Sequence, residues 1–273
     1  MAIADKYLKE DITKILNEGV WDKNPRPVWE DGSPAHTKFV THHSRTYDIS
    51  NGEFPITEIK PTAIKSAIKE IFWMYQDGSN DLDLLEEKYK VMWWRDFDIG
   101  DGTIGRRYGG TVGKWDLMNK LLESIKNDPY SRRHIINTYQ EADLQETEGL
   151  YPCLITFLFT VRDEYLDLML IQRSNDFIGA GNINEVQSVA LQMMVAKATG
   201  YKPGKFTRIV NNLHIYDKHI EIAEELLSRG IRKEGNPRIE LNTDKTNFFE
   251  FTIDDFDIID YKPQGKLVIP IAV

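Results

Sequence analysis

The sequence predicts an α+β fold in a single domain, and three observations carry that prediction. Helical periodicity recurs along the chain, most clearly at 63–76. A hairpin pattern of two apolar strands occupies 154–172. No repeat, low-complexity tract or Pro/Gly/Ser-rich linker divides the 273 residues. A chain of this length buries roughly three quarters of its unfolded surface, so one domain over 1–273 needs no metal or disulfide staple.

The elements follow in order. Residues 4–17 place Tyr7, Ile12 and Ile15 near one helical face, and Gly19 is a stop. Irregular chain is expected next, with two prolines and an Asp31-Gly32 turn in 25–31 and a second break at Asn51-Gly52. Residues 63–76 alternate Lys with apolar side chains at a 3.6 period, which predicts an amphipathic helix. Asp77-Gly78-Ser79-Asn80 ends it, and another helix begins near Asp81. Six glycines in 96–113 predict a loop. Residues 115–127 read as a helix broken by Asp128-Pro129. The hairpin of 154–172 turns at Arg162-Asp163-Glu164. Residues 183–199 are apolar on most sides, as a buried helix is, and Gly200 supplies its left-handed stop. Lys202-Pro203-Gly204 predicts a turn into a strand at 206–210, followed by a helix from His214 to Arg229 and then short strands, the last at 267–273.

The 34 Lys and Arg against 43 Asp and Glu leave a net charge of −9. Long nucleic acids and anionic membranes require a basic footprint, so neither is an expected partner. An anion bound by this chain must be met by a local basic cluster. The single cysteine, Cys153, excludes a disulfide framework and a CxxC zinc site and points to a reducing, cytoplasmic compartment. The first residues lack the apolar core of a secretory signal, and the apolar run 153–161 is too short to span a bilayer.

Two motif matches fail on context. Gly100-Asp-Gly102-Thr-Ile-Gly105 fits the dinucleotide fingerprint, but it should follow a strand and open a helix, and Arg106-Arg107-Tyr108-Gly109-Gly110 is not expected to be helical. Gly113-Lys114 lacks the phosphate loop's magnesium-binding hydroxyl, because Trp115 follows. His214 and His219 are five apart on an expected helix, and His42-His43 are adjacent; both spacings separate the rings, so no metal is expected.

Cys153 opens the apolar hairpin, and twenty residues on the returning strand ends in Gln172-Arg173-Ser174-Asn175-Asp176. Such a hairpin brings Arg173 near Cys153, where a guanidinium stabilises a thiolate. Arg132-Arg133, with Arg173 and Ser174, would form the bidentate cluster that a dianionic phosphate prefers; the plainer role of adjacent arginines is a solvated charge pair.

Together these residues resemble the thymidylate synthase family. The resemblance runs from about Arg26 to Pro270-Ile271-Ala272-Val273 and is strongest at Ser131-Arg132-Arg133, Pro152-Cys153, Gln172-Arg173-Ser174-Asn175-Asp176, Asn184 and His214-Ile215-Tyr216. It implies a mixed twisted β-sheet covered by helices and a sheet-mediated homodimer with shared active sites. The implied reaction converts dUMP to dTMP, with 5,10-methylenetetrahydrofolate as one-carbon and hydride donor and no metal. Cys153 would attack C6 of the pyrimidine.

By the same resemblance Arg26, Arg173 and Ser174 hold the phosphate, and Arg132 and Arg133 reach it from the other subunit. Asn184 reads the pyrimidine edge, donating to O4 and accepting from N3–H. His214 and Tyr216 meet the ribose 3′-hydroxyl. Glu70, in an apolar helix where an unpaired carboxylate is costly, organises water for proton transfer, with Tyr108 in that network. Asp176 and Trp94 belong to the folate site, and a C-terminal strand closes over the ligands with the Val273 carboxylate. Plainer readings stand beside these: Asn184 as a helix N-cap, His214-Tyr216 as a first helical turn, Trp93 as core.

Four positions depart from the family pattern: Leu154 for His, Phe97 for Trp, Tyr139-Gln140 for Trp-Asn, and Ala180-Gly181-Asn182-Ile183-Asn184 for Gly-x-Pro-Phe-Asn. Several touch the folate side, which keeps open a dUMP or dCMP hydroxymethylase in which water replaces hydride. A non-catalytic nucleotide-binding protein is a third reading. Asn184 favours uracil, because a cytosine reader would be expected to present Asp.

Overall fold

The protein is described by a computed structural model over residues 3–272. Helix α1 (Ile3–Glu18) leads into the short strand β1 (Val20–Trp21) and the long strand β2 (Thr37–Asp48). Helix α2 (Ile64–Ile71) continues as a π-helical turn, Phe72–Gln76, and α3 (Leu82–Tyr89) follows with Asp81 as its N-cap. Helices α4 (Gly109–Lys114) and α5 (Leu117–Asn127), strand β3 (Ile135–Asn137) and helix α6 (Glu141–Glu146) make up the middle of the chain. The second half holds β4 (Leu154–Arg162), β5 (Tyr165–Asp176), α7 (Gly181–Thr199), β6 (Lys202–Tyr216) and α8 (Ile220–Ser228), then a ribbon of β7 (Arg238–Leu241) and β8 (Phe256–Ile259).

The main sheet has the order β1-β2-β6-β5-β4-β3. Only β5 and β6 are parallel, so the sheet is mixed. Helix α7, buried on nearly every side, is the crossover between them and packs on both strands and on α2. The principal core lies here, with Ile68, Trp73, Leu170, Met194 and Phe206 all at most 2% exposed. A second cluster, including Ile12, Ile15, Phe177, Leu213 and Leu226, joins α1 and α8 to the sheet.

Several expectations are corrected. Irregular chain was expected over β2, whose residues are mostly half-exposed and show no clean apolar alternation; its pairing with β6 from Thr37↔Tyr216 to Asp48↔Lys205 makes it a strand. The expected turn at Lys202-Pro203-Gly204 lies inside β6, paired with β5 at Tyr165↔Lys202 and Leu166↔Pro203. Nor does a helix start at His214: β6 continues through Tyr216, and α8 starts at Ile220. Pairing on both sides supplies backbone bonds that local propensity does not register.

Within 96–113 the end is helical, contrary to expectation, since α4 begins at Gly109. No strand runs directly into Gly100, so the dinucleotide motif still lacks its context. The glycines serve packing instead: a Cβ on Gly109 would lie 1.9 Å from the Ser79 carbonyl oxygen, and one on Gly113 2.4 Å from that of Gly78. The helix expected over 63–76 changes pitch at Phe72, where the Asp77 N–H bonds the Phe72 carbonyl at 2.9 Å. This wider turn buries Phe72, Trp73, Met74 and Tyr75 together. The tail over 267–272 is not a strand.

Candidate active site

A cavity of about 1250 Å³ opens where the C-terminal ends of β5 and β6 meet the first turn of α7, the α2 π-turn and the loop from Trp93 to Tyr108. Cys153 lies on its wall, immediately before β4. The Cys153 N–H donates to the Tyr108 hydroxyl at 2.8 Å, and its carbonyl accepts from the Arg173 N–H at 3.0 Å. The Arg173 guanidinium donates to the carbonyls of Pro152 at 2.9 Å and Tyr151 at 2.6 Å. The hairpin therefore joins Cys153 and Arg173 as expected, but the net effect on the thiol differs. Burial pushes its pKa up, and the pull of Arg173, Arg26 and the Tyr108 hydroxyl does not reverse that. Tyr108 itself sits at φ 44°, a costly backbone for a tyrosine, and burial raises its pKa well above the usual value.

Glu70, 3% exposed on α2, has the partners its burial requires. Trp93 Nε1–H donates to Oε2 at 2.6 Å, and Trp94 Nε1–H donates to Oε1 at 2.9 Å. Burial raises the carboxyl to about 7, while the indoles of Trp94 and Trp93 and the amide of Gln187 restrain the rise. Trp93 is thus a carboxylate partner as well as a packing residue. Trp94 also meets Phe97 and Tyr108 edge to face, each with ring centroids 5.5 Å apart.

Asn184 lies in the first turn of α7, but Ala180 holds the N-cap position, which corrects the capping reading. Its Oδ1 accepts from Gln172 Nε2 at 3.2 Å and from Asn175 Nδ2 at 3.4 Å, while its Nδ2 donates to Gln187 Oε1 at 3.1 Å. Gln172 and Asn175 flank the arginine and serine of the β5 motif; the motif named both without a role, and nothing in it pointed to Gln187, one helical turn beyond Asn184. A run of polar side chains on a strand end and a helix start that share one cavity was the available signal.

Asp176 ends β5 opposite His214 of β6. Burial works against its ionisation, but the neighbouring His219, with His214 and the Gly179 N–H, holds its pKa below the ordinary value. His219, expected to point away from His214, instead shares Asp176 with it: Nδ1 lies 3.5 Å from Asp176 Oδ1, and Nε2 donates to the Pro270 carbonyl at 2.8 Å. His214 is held mainly neutral by burial, and its Nε2 has no protein partner. Tyr216 meets the His214 ring edge to face at 5.1 Å. Arg26 and Ser174 also line the cavity, as do Ile269, Ile271 and Ala272 of the tail.

Arg132 and Arg133 are not brought to Cys153 within the chain; both are exposed and lie outside this cavity. Val273 lies outside the described residues. Among the described residues no cluster of three or more His, Cys, Asp or Glu could hold a metal, and no helix is long and apolar enough to cross a membrane.

A cysteine, a buried carboxylate with two indole donors and a guanidinium on one cavity wall can support nucleophilic addition with proton transfer. Comparison with known proteins agrees in identity. A sequence profile of the thymidylate synthase family matches residues 5–273. Thymidylate synthase of Lactococcus lactis subsp. cremoris (strain SK11) is 51% identical over 269 residues, covering 96% of each chain. That of Streptococcus gordonii (strain Challis) is 51% identical over 280 residues, covering 99% of this chain and all of its own. The structure of thermostable thymidylate synthase A from Bacillus subtilis superposes with a TM-score of 0.91 at 34% identity, over 99% of both chains. With the fold, the cavity and these matches in agreement over almost every residue, the chain belongs to the thymidylate synthase family.

Proposed function

We propose that this chain is a thymidylate synthase that converts dUMP to dTMP with 5,10-methylenetetrahydrofolate. The observation that carries this reading is Cys153 in one cavity with Glu70, Asn184 and Arg173. The Cys153 sulfur adds to C6 of uracil, which makes C5 a carbon nucleophile. Because the thiol pKa is raised in the free protein, formation of the thiolate is coupled to nucleotide binding, with Arg173 the cation that favours it most. Glu70, poised at about 7, moves protons at O4 and C5. Tyr108 fixes the backbone of the nucleophile. Asn184 donates to O4 and accepts from N3–H. Arg26, Arg173 and Ser174 hold the phosphate, and His214 and Tyr216 the ribose 3′-hydroxyl.

The folate site is read from the same cavity. Asp176, kept ionised beside His219, is an acceptor for the N–H groups of a fused pterin ring, and Trp94 offers it an aromatic face. When bound, the folate supplies the one-carbon unit and the hydride and leaves as dihydrofolate. The tail, tied through Pro270 to His219, closes this side.

The functional unit is a single catalytic domain over 1–273, paired as a cytoplasmic homodimer. Support for pairing comes from the sheet face that no element covers among the described residues, where Ile135 is 45% and Met169 38% exposed and Leu158, Ile171 and Ile209 are half-buried. Arg132 and Arg133 lie three and two residues before β3 of that sheet and reach the partner's phosphate site. Nucleic acid, membrane and metal have no part in the reading.

Incubation with dUMP and methylenetetrahydrofolate tests it, following dihydrofolate and weighing the nucleotide. Dihydrofolate with dTMP is expected. Tetrahydrofolate with a hydroxymethylated nucleotide would assign a hydroxymethylase, and binding without turnover a non-catalytic protein.

A further inference from the structure

Asn184 is surrounded by amides. Gln172 and Asn175 lie on its oxygen side and Gln187 on its nitrogen side. Amides carry a donor and an acceptor at nearly the same positions, so a cluster built only of amides can reverse every one of its hydrogen bonds at little cost. The direction matters here. An amide with nitrogen towards the pyrimidine 4-position and oxygen towards N3 complements uracil; turned over, it complements the N4 donor and N3 acceptor of cytosine.

One group beside the cluster has fixed polarity. Gln187 is 3% exposed, its Oε1 is engaged by Asn184, its Nε2 has no hydrogen-bond partner, and it lines the same cavity as Glu70, whose ionised form it favours. Both Glu70 oxygens already accept from indole N–H groups, so the carboxylate faces donors only. Turning Gln187 over would aim its carbonyl at that carboxylate and its NH2 at the Asn184 NH2. Both contacts would be repulsive in a buried site.

We infer that Gln187 is a specificity-determining positioning residue, which passes the fixed acceptor polarity of Glu70 to Asn184 and so holds the base-reading amide in the uracil orientation. The inference rests on the dUMP reading above and adds to it a reason why an asparagine, symmetric in shape, selects one base. Gln187 itself touches neither the nucleophile nor the reacting carbons in this scheme.

The test measures dissociation constants for dUMP and dCMP by calorimetry, in the absence of folate, for the parent chain, Gln187→Met and Gln187→Glu. Methionine keeps the volume and removes the polarity. A neutral glutamic acid can donate O–H to Glu70 and accept from Asn184, as Gln187 does. The expected result is an about tenfold loss of dUMP preference in Gln187→Met, the worth of one hydrogen bond, with preference retained within about twofold in Gln187→Glu. Unchanged preference in Gln187→Met overturns the inference, and so does an equal loss in Gln187→Glu. If Gln187→Met does not fold, Gln187→Leu takes its place, with the same two outcomes read against Gln187→Glu. A parent chain that binds neither nucleotide overturns the dUMP reading itself.

Discussion

Trp93 and Trp94, adjacent in sequence, each donate an indole N–H to a different oxygen of Glu70, at 2.6 and 2.9 Å. Two donors on one buried carboxylate favour its charge, while burial opposes it, and the balance leaves the group near 7. In the free enzyme kcat/KM therefore rises with pH through about 7, as Glu70 gives up its proton. Glu70→Gln removes that limb and lowers kcat by about 10²–10⁴-fold, the range of general acid–base catalysis. Steady-state kinetics between pH 5.5 and 9, about 1.5–2 units either side of that midpoint, check both.

The same carboxyl has a stability consequence. Its folded pKa lies above its ordinary value of 4.5, so the native state holds the proton more tightly than the unfolded chain. Its contribution is most favourable below the ordinary value and is lost as pH rises through about 7. Glu185, also raised to about 7 by burial, acts in the same direction. Urea midpoints are expected to fall between pH 5 and 7.5, about the window between the two pKa values, and less steeply in Glu70→Gln.

Cys153→Ser is expected to abolish turnover, by at least about 10⁴-fold, because an alcohol replaces the thiolate nucleophile. Binding of dUMP stays within about threefold, since the remaining ligands are untouched. Calorimetry beside the turnover assay separates the two, and a large loss of affinity would contradict the assignment of the nucleophile.

Asn184→Asp places a carboxylate where the amide reads the base. Preference is expected to move towards dCMP by about one to two orders of magnitude in kcat/KM, the scale of one misplaced buried hydrogen bond. Unchanged discrimination would remove Asn184 from base reading.

Arg132 and Arg133 lie outside the cavity of their own chain. If they serve the partner's site, Arg132→Ala/Arg133→Ala and Cys153→Ser chains are each inactive alone but regain activity when mixed. One competent site in half of the dimers gives about a quarter of parental activity. Mixing after dissociation, followed by assay, checks this, and no recovery would place the arginines elsewhere.

Gly109→Ala tests the packing of α4 rather than the chemistry. The added Cβ meets the Ser79 carbonyl at 1.9 Å, and backbone must move. A loss of about 1–3 kcal/mol in unfolding free energy is expected from denaturant titration.

The sequence by itself determined the first helix, the hairpin that carries Cys153 and Arg173, the buried helix that carries Asn184 and, through resemblance, Cys153, Glu70, Arg173, Ser174 and Asn184 as candidates that the cavity brings together. Those elements carry local signals: periodicity, turn residues and short motifs in one stretch of chain. Only the tertiary structure decided that 37–48 is a strand and that the strand expected at 206–210 extends over 202–216, because both gain their backbone partners from segments distant in sequence. It also decided that His214 and His219 converge on Asp176, that burial outweighs Arg173 at the thiol, and that Gln187 bonds Asn184 in the cavity that Glu70 lines. Each of these follows from desolvation and hydrogen-bond direction, which depend on what surrounds a side chain in three dimensions and leave no periodic trace along the chain.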